Sequence, residues 1–151
     1  MIQRIQSVYL LLVAILLGVT AFSTVGTFVI DNVTPCAFKP LGVTMADGGF
    51  QSTWGLFGIL LLAAIDALCT IFLFRNRMLQ VRMTVFGSVL LIGFYIAFGV
   101  FFYSLNEGLE ATGFRVGWAL CLPLVCLILN YLAFRAIYRD EVMVRAADRL
   151  R

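Results

Sequence analysis

Four stretches of the sequence stay apolar for about 20 residues each, and this feature restricts the fold more than any other. An α-helix of about 20 residues spans a hydrocarbon core of about 30 Å. Inside a bilayer, only helices and closed barrels satisfy all of their backbone hydrogen bonds internally. The sequence therefore predicts an all-α fold, an integral membrane four-helix bundle that forms a single domain over residues 1–151.

The composition is typical of a membrane protein and differs from that of a soluble domain. Hydrophobic residues make up 62% of the chain and charged residues only 13%, whereas about 25% of residues are charged in ordinary soluble domains. The formal net charge of +3 is too small to indicate binding to nucleic acid. We therefore expect membrane lipid as a partner, and no nucleic acid.

The apolar stretches and the polar segments between them set the predicted boundaries. Transmembrane helices are predicted at residues 8–30, 53–74, 83–105 and 116–134. The polar segments are outer loops at residues 31–52 and 106–115, a cytoplasmic turn at residues 75–82 and a cytoplasmic tail at residues 135–151. Residues 37–39 and 41–45 are predicted to pair as a small hairpin on the outer surface, and Pro123 is expected to kink the fourth helix.

The first apolar stretch has two interpretations. Arg4 and the small residues Val19–Ala21 resemble the basic start and the cleavage site of a secretory signal peptide. The stretch continues past Ala21 to Ile30, however, and about 23 residues from Val8 are enough to cross a membrane as a helix. This length favours an uncleaved transmembrane helix.

The distribution of basic residues predicts the orientation of the chain. Four spans put both termini on one side, and the basic residues on that side are Arg4, Arg75, Arg77, Arg82, Arg135, Arg139, Arg145, Arg149 and Arg151. Only Lys39 and Arg115 are left for the other side. The positive-inside rule therefore predicts that both termini are cytoplasmic. Glu141 and Arg145, four residues apart, favour a short helical cytoplasmic C-terminal extension.

Asp66 is the only formal charge deep inside a predicted span. An ionised carboxylate is costly in hydrocarbon, and intramembrane carboxylates often belong to ion or proton pathways. The simpler interpretation is a protonated, neutral clasp between helices, bonded to a side chain at similar depth and worth on the order of 1 kcal/mol. The side chains available at that depth are Thr20, Ser88, Tyr95 and Cys126. Transport usually needs more than one such group, so the clasp is favoured.

Two further sets of polar residues lie near the predicted cytoplasmic side. Asn130 and Tyr131 are interpreted as packing and interface residues in preference to a site. The basic residues of the turn and the tail either contact a docked protein or anionic headgroups, or serve only as a topology signal. These basic candidates are Arg75, Arg77, Arg82, Arg135, Arg139, Arg145 and Arg149.

The sequence contains no constellation that indicates catalysis, a metal site or a cofactor. Histidine, the commonest metal ligand and near-neutral acid or base, is absent. A membrane thiol oxidoreductase needs paired cysteines on the oxidising side, and only Cys36 is predicted to lie there. Cys69, Cys121 and Cys126 fall inside apolar stretches, where a free cysteine behaves as a small hydrophobe. We therefore predict a protein that is not an enzyme and has no cofactor.

The two ends of the chain and its basic turn carry a resemblance to a known family. The sequences are MIQRIQSVYLLL over residues 1–12, RNRMLQVR over residues 75–82 and LILNYLAFRAI over residues 127–137. They resemble a Bacteroidota family of small four-helix inner-membrane proteins that is catalogued as a domain of unknown function. The resemblance implies a multi-pass protein of the inner membrane of a Gram-negative cell and a functional emphasis on the cytoplasmic ends. It brings no catalytic residue, substrate or cofactor.

Two hypotheses of function follow. The first is a non-enzymatic accessory or interaction subunit of a membrane complex, because the chain has ample helix surface and no catalytic group. It would bind a membrane-protein partner or form a homo-oligomer. The alternative is a small proton- or ion-coupled transporter or channel subunit that uses Asp66.

Overall fold

A computed structural model describes residues 2–30, 34–45, 48–73 and 75–150. Residues 31–33 and 46–47 of the predicted first loop, Phe74 of the predicted second helix and Arg151 of the tail lie outside this set. The elements are, in chain order, α1 (Ile2–Phe22), β1 (Gly26–Ile30), β2 (Thr34–Lys39), β3 (Gly42–Thr44), β4 (Phe50–Ser52), α2 (Trp54–Phe72), α3 (Arg77–Leu109), β5 (Gly113–Val116), a 3-10 helix (Trp118–Cys121) and α4 (Leu122–Arg149).

The helices form a bundle in which α1 packs on α2 and α4, and α3 packs on the same two neighbours. Among the described residues, four helices are long and apolar enough to cross a membrane. Their outward faces carry large exposed Leu, Ile, Val and Phe side chains, an arrangement that lipid accommodates and water does not. We call the end of the bundle that carries the strands the sheet end. The opposite end, where α2 turns into α3 and α4 finishes, is the basic end.

The sheet end carries a feature that an all-α prediction does not contain. The strands in the described part of the chain form one five-stranded sheet in the order β4-β3-β2-β1-β5. All of its pairings are antiparallel, and β2 and β3 form the predicted hairpin with Lys39 opposite Gly42. The hairpin is therefore confirmed, whereas the all-α prediction was wrong at this end. Pairing satisfies backbone groups that two separate loops would leave to water.

The predicted first span, residues 8–30, divides into a helix and a strand. α1 ends at Phe22, and Gly26–Ile30 form β1, which pairs with β2 and with β5. β-branched and aromatic residues favour the strand, and alternate residues of β1 point inward, with Phe28 fully buried. Hydropathy by itself does not separate an apolar helix from a buried strand, so the prediction extended the helix too far.

α3 is longer than predicted at both of its ends. It begins at Arg77, so most of the predicted turn at residues 75–82 is helix, as its Met, Leu, Gln and Arg residues favour. It ends at Leu109 rather than at residue 105. The part of α3 near the sheet end supports the sheet, because Phe102 stacks on Phe28 of β1 with ring centroids 5.7 Å apart.

α4 follows the 3-10 helix and runs without interruption to Arg149. Pro123 is its second residue, where the missing N–H has no helical partner to lose. The kink expected at Pro123 inside a longer helix therefore has no basis, since the α-helix only begins at Leu122. The helical extension predicted for the tail is confirmed as far as Arg149.

Candidate functional site

A layer of buried polar side chains crosses the basic half of the bundle and is the candidate site. α2 contributes Asp66, α3 contributes Thr84 and the half-buried Ser88, and α4 contributes Asn130. Asp66 belongs to the inward face of α2, whose buried residues recur mainly at spacings of three and four. The bundle thus brings Asp66 and Asn130 together, two candidates that lie far apart in the sequence.

Asn130 joins α4 to α3. Its Nδ2 atom donates hydrogen bonds to the backbone oxygen of Thr84 and to Ser88 Oγ, each at 3.1 Å. A side-chain amide has two N–H hydrogens, so these bonds use both of them. Asn130 is buried, and it is therefore an interhelical clasp in the structure. Tyr131, its neighbour, is exposed on the outside of the bundle.

Gly87 lets the two polar side chains approach the backbone of α3. A Cβ atom at this position would lie 2.6 Å from Asp66 Oδ2 and 3.2 Å from Asn130 Nδ2. The carboxyl of α2 and the amide of α4 therefore face the same patch of α3 from two sides. Glycine is required there because any side chain would occupy the space that they fill.

Asp66 is 5% exposed, and its Oδ1 is the only buried side-chain nitrogen or oxygen in the described part of the chain that lacks a hydrogen-bond partner. The four side chains expected to bond it are otherwise engaged. Each donates to a backbone carbonyl oxygen: Thr20 Oγ1, Ser88 Oγ, Tyr95 Oη and Cys126 Sγ. None of these four bonds involves Asp66, and its Oδ1 has no partner, so the structure does not show the expected bond at this oxygen.

Further buried polar contacts lie between this layer and the basic end. Gln80 Nε2 donates to the backbone oxygen of Thr70 at 3.3 Å and links α3 to α2. Gln6 Nε2 donates to Asp140 Oδ2 at 3.1 Å and links α1 to α4. The basic half of the core is therefore held by polar contacts between neighbouring helices as well as by apolar packing.

Sequence analysis overlooked Gln6 and Gln80 because it placed both outside the predicted spans. For Gln80 a signal was available. Gln80, Thr84 and Gly87 recur at spacings of four and three, which places them on one face of a helix. That face is recognisable only if α3 starts at Arg77, and the basic residues around it had indicated a turn instead.

The sheet half of the core is apolar and aromatic. Its rings pack with centroids between 4.9 and 6.5 Å apart, and they belong to Phe28, Phe38, Phe94, Phe98, Phe102 and Phe114. The buried hydroxyls of this half, Thr20 and Thr53, donate to backbone oxygens. Within the described residues, packed side chains therefore separate the polar layer from the sheet end.

The predicted basic candidates do not converge on one site. Arg75, Arg77 and Arg82 line a groove of about 490 Å³ at the turn between α2 and α3. Arg135 and Arg139 line a separate groove of about 500 Å³ between α1 and α4. The basic end therefore presents two positively charged concave surfaces on different pairs of helices.

The remaining basic candidates lie on the last turns of α4. Arg145 forms an ion pair with Glu141 at 2.6 Å, one helical turn away as the sequence spacing predicted. Arg149 is exposed. An exposed pair of this kind contributes only about 0.3–0.5 kcal/mol, so it orders the helix locally and does not define a site.

The cysteines and acidic residues form no recognisable metal centre. In the part of the chain that the structure describes, no group of three or more His, Cys, Asp or Glu side chains could hold a metal ion. All four cysteines are free, with Cys36 and Cys126 buried and Cys69 and Cys121 exposed.

Comparison with known proteins gives one family match. The family is described as Domain of unknown function (DUF4293), and its model matches residues 2–150. No curated protein matches the chain. The family match points to no enzymatic activity.

Proposed function

The chain belongs to the family described as Domain of unknown function (DUF4293), and from this premise we propose that it is a non-enzymatic accessory or interaction subunit of a membrane complex. Its proposed location is the inner membrane of a Gram-negative bacterium of the Bacteroidota, with both termini in the cytoplasm. The concentration of arginine at the basic end supports this orientation. The basic end is then the cytoplasmic end of the bundle.

The observation that carries the proposal is apolar surface beyond the membrane. About 20 helical residues cross a hydrocarbon core of about 30 Å. A span that begins at Trp118 therefore ends near Tyr138. Val142 and Met143 follow this point, yet they are 49% and 56% exposed. Large apolar side chains that face water mark interaction surfaces when they form a patch. α4 thus presents such a patch at the cytoplasmic end.

The patch includes a concave surface between two helices. A groove of about 140 Å³ separates the start of α3 from the end of α4, and we call it the α3–α4 end groove. Its lining residues are Met78, Val81, Tyr138, Glu141, Val142 and Arg145. Four of them are apolar or aromatic, and the Glu141–Arg145 ion pair lies on its rim. The groove therefore suits an apolar side chain on a helix of a partner protein.

Site-specific photocrosslinking tests this proposal in the native membrane. The photoreactive amino acid p-benzoylphenylalanine would replace Val142, inside the groove, or Ile96, an exposed residue of α3 far from it. We expect one adduct of discrete mass from position 142 and none from position 96, because only the groove faces a partner. Mass spectrometry of the adduct distinguishes a different protein from a second copy of the chain.

A substitution in the groove supplies the specificity control. Tyr138→Glu places a charge in the apolar lining, so it should abolish the adduct at position 142 without preventing insertion. Equal adducts at positions 142 and 96, or an adduct that survives Tyr138→Glu unchanged, would contradict the proposal.

The unpartnered Oδ1 of Asp66 favours a second candidate, a proton- or ion-coupled transporter or channel subunit. A buried carboxyl oxygen without a donor is the feature that a proton site would show. The aromatic packing at the sheet end weighs against the transporter candidate. The polar layer of one chain then lies only in the basic half of the bundle. Transport by this route would need a second copy of the chain, which a homo-oligomer of the purified protein would supply.

Proton flux into liposomes separates the two candidates. The purified protein would be reconstituted with an internal pH-sensitive dye, and a potassium diffusion potential would drive protons inward. A transporter should give flux that Asp66→Asn eliminates, because the amide cannot exchange the proton. Flux from the wild-type protein no greater than that of empty liposomes would rule out this function for the isolated chain.

A further inference from the structure

The groove between α1 and α4 combines apolar walls with two arginines at one end. It measures about 500 Å³, and we call it the α1–α4 groove. Its lining residues are Ile5, Tyr9, Leu132, Arg135, Ala136 and Arg139. Along α4, Leu132 lies about 10 Å deeper in the bundle than Arg139 at 1.5 Å per residue. The α4 wall of the groove is thus apolar toward the membrane interior and basic toward the end of the bundle.

The two arginines occupy the same face of α4. Arg135 and Arg139 are four residues apart, so their guanidinium groups project from successive turns into one groove. Among the described residues, neither forms an ion pair; the ion pair found there joins Arg145 and Glu141. Asp140, the adjacent acid, is engaged by Gln6 across the α1–α4 contact. Neither arginine of the groove is therefore paired with a described acid.

We propose that the α1–α4 groove binds an anionic phospholipid, with the phosphate between Arg135 and Arg139 and an acyl chain along Tyr9 and Leu132. Guanidinium groups bind phosphate oxygens through paired N–H donors. Basic pockets between transmembrane helices on the cytoplasmic side bind anionic headgroups in this manner. The site is independent of the α3–α4 end groove, which lies on the other side of α4.

The arrangement of the lining favours a lipid over a free anion. A soluble phosphate would use the arginines and leave the apolar wall unused. The groove on the turn between α2 and α3 has three arginines, and its apolar lining among the described residues is limited to Met78 and Leu79. The α1–α4 groove instead pairs its charge with side chains from two helices that continue toward the membrane interior.

Native mass spectrometry of the full chain in detergent tests the proposal. The probes are phosphatidylglycerol and phosphatidylethanolamine with identical acyl chains, added over a range of concentrations. We expect retained phosphatidylglycerol at concentrations where phosphatidylethanolamine is lost. The double substitution Arg135→Gln with Arg139→Gln should weaken phosphatidylglycerol binding by about tenfold or more, as two interfacial arginines contribute.

A second double variant controls for net charge. Arg145→Gln with Arg149→Gln removes the same charge from the same helix but touches no residue of the groove. It should bind phosphatidylglycerol like the wild type. Equal binding of the two lipids by the wild type, or equal losses in both double variants, would overturn the proposal. Displacement of the lipid by millimolar inorganic phosphate would also overturn it in favour of a simple anion site.

A measurement on the wild-type protein covers the case in which the variants fail to fold. Phosphatidylglycerol with a photoreactive group in its acyl chain would be crosslinked in native-like vesicles, and the labelled peptides would be sequenced. Labels on α1 near Tyr9 and on α4 near Leu132 support the site. Labels spread evenly over the exposed faces of α2 and α3 would contradict it.

Discussion

The Asp66 carboxyl and the Asn130 amide share one patch of α3 because Gly87 has no side chain. Asn130 satisfies both of its amide hydrogens, whereas Asp66 Oδ1 accepts no hydrogen bond from the described residues. Burying a polar group without a partner costs about 1–3 kcal/mol. The close contact between α2 and α3 therefore rests on shape at Gly87 more than on hydrogen bonding by Asp66.

Gly87→Ala should destabilise the protein by about 1–3 kcal/mol, because the new Cβ would meet a buried carboxyl and a buried amide. The approach distances of 2.6 and 3.2 Å leave no room unless the Asp66 and Asn130 side chains move. Thermal unfolding in detergent, followed by circular dichroism, measures the loss.

Gly93→Ala on the same helix is the matched control. A Cβ at position 93 meets no atom within 4 Å, so stability should stay the same or rise slightly with the better helix propensity of alanine. Adding Asp66→Ala to Gly87→Ala should recover part of the loss, since it removes the nearest obstacle. Equal melting temperatures for the two single variants would show that Gly87 is not a packing requirement.

At the element scale, the same degree of hydrophobicity serves two kinds of structure. Residues 8–22 remain in α1, while Gly26–Ile30 join a sheet whose other strands come from both polar segments. Gly117 lies where these segments meet, and its N–H donates to the Val25 backbone oxygen at 2.8 Å. A Cβ atom at position 117 would lie 2.6 Å from the Thr24 backbone oxygen. The junction of β5 with β1 thus depends on a backbone approach that only glycine permits.

The end of α4 shows the opposite case, in which local sequence was sufficient. Glu141 and Arg145 were expected to pair on a helix, and the structure places them 2.6 Å apart. The helix also packs beside the starts of α1 and α3, through Gln6 with Asp140 and through the α3–α4 end groove. The extension is therefore part of the bundle rather than a separate arm.

At the scale of the whole molecule, the bundle has two unlike halves. The half toward the basic end contains the polar layer and the arginine-lined grooves. The half toward the sheet end contains the aromatic core, which the sheet of five described strands covers. This asymmetry gives the two ends of the bundle different chemical character. It makes the orientation of the chain the property to measure first.

Cysteine labelling measures that orientation. Glu107→Cys lies near the sheet end and Asp148→Cys near the basic end, and both native residues are exposed. A membrane-impermeant maleimide added to spheroplasts should label position 107 at once and position 148 only after permeabilisation, because the positive-inside rule retains the arginine-rich end in the cytoplasm. The unsubstituted chain gives the background from its own cysteines, and the reverse pattern would refute the proposed orientation.

Local sequence was sufficient for the properties that add up residue by residue. Hydropathy summed over about 20 residues located four helices long enough to cross a membrane, and local spacing predicted the β2–β3 hairpin and the helical tail. Only the tertiary structure decided which distant segments meet: β1 with β5, Asp66 with Asn130 at Gly87, and Gln6 with Asp140. These contacts depend on the order and rotation of helices in the bundle and on strand register, which no local window of sequence contains.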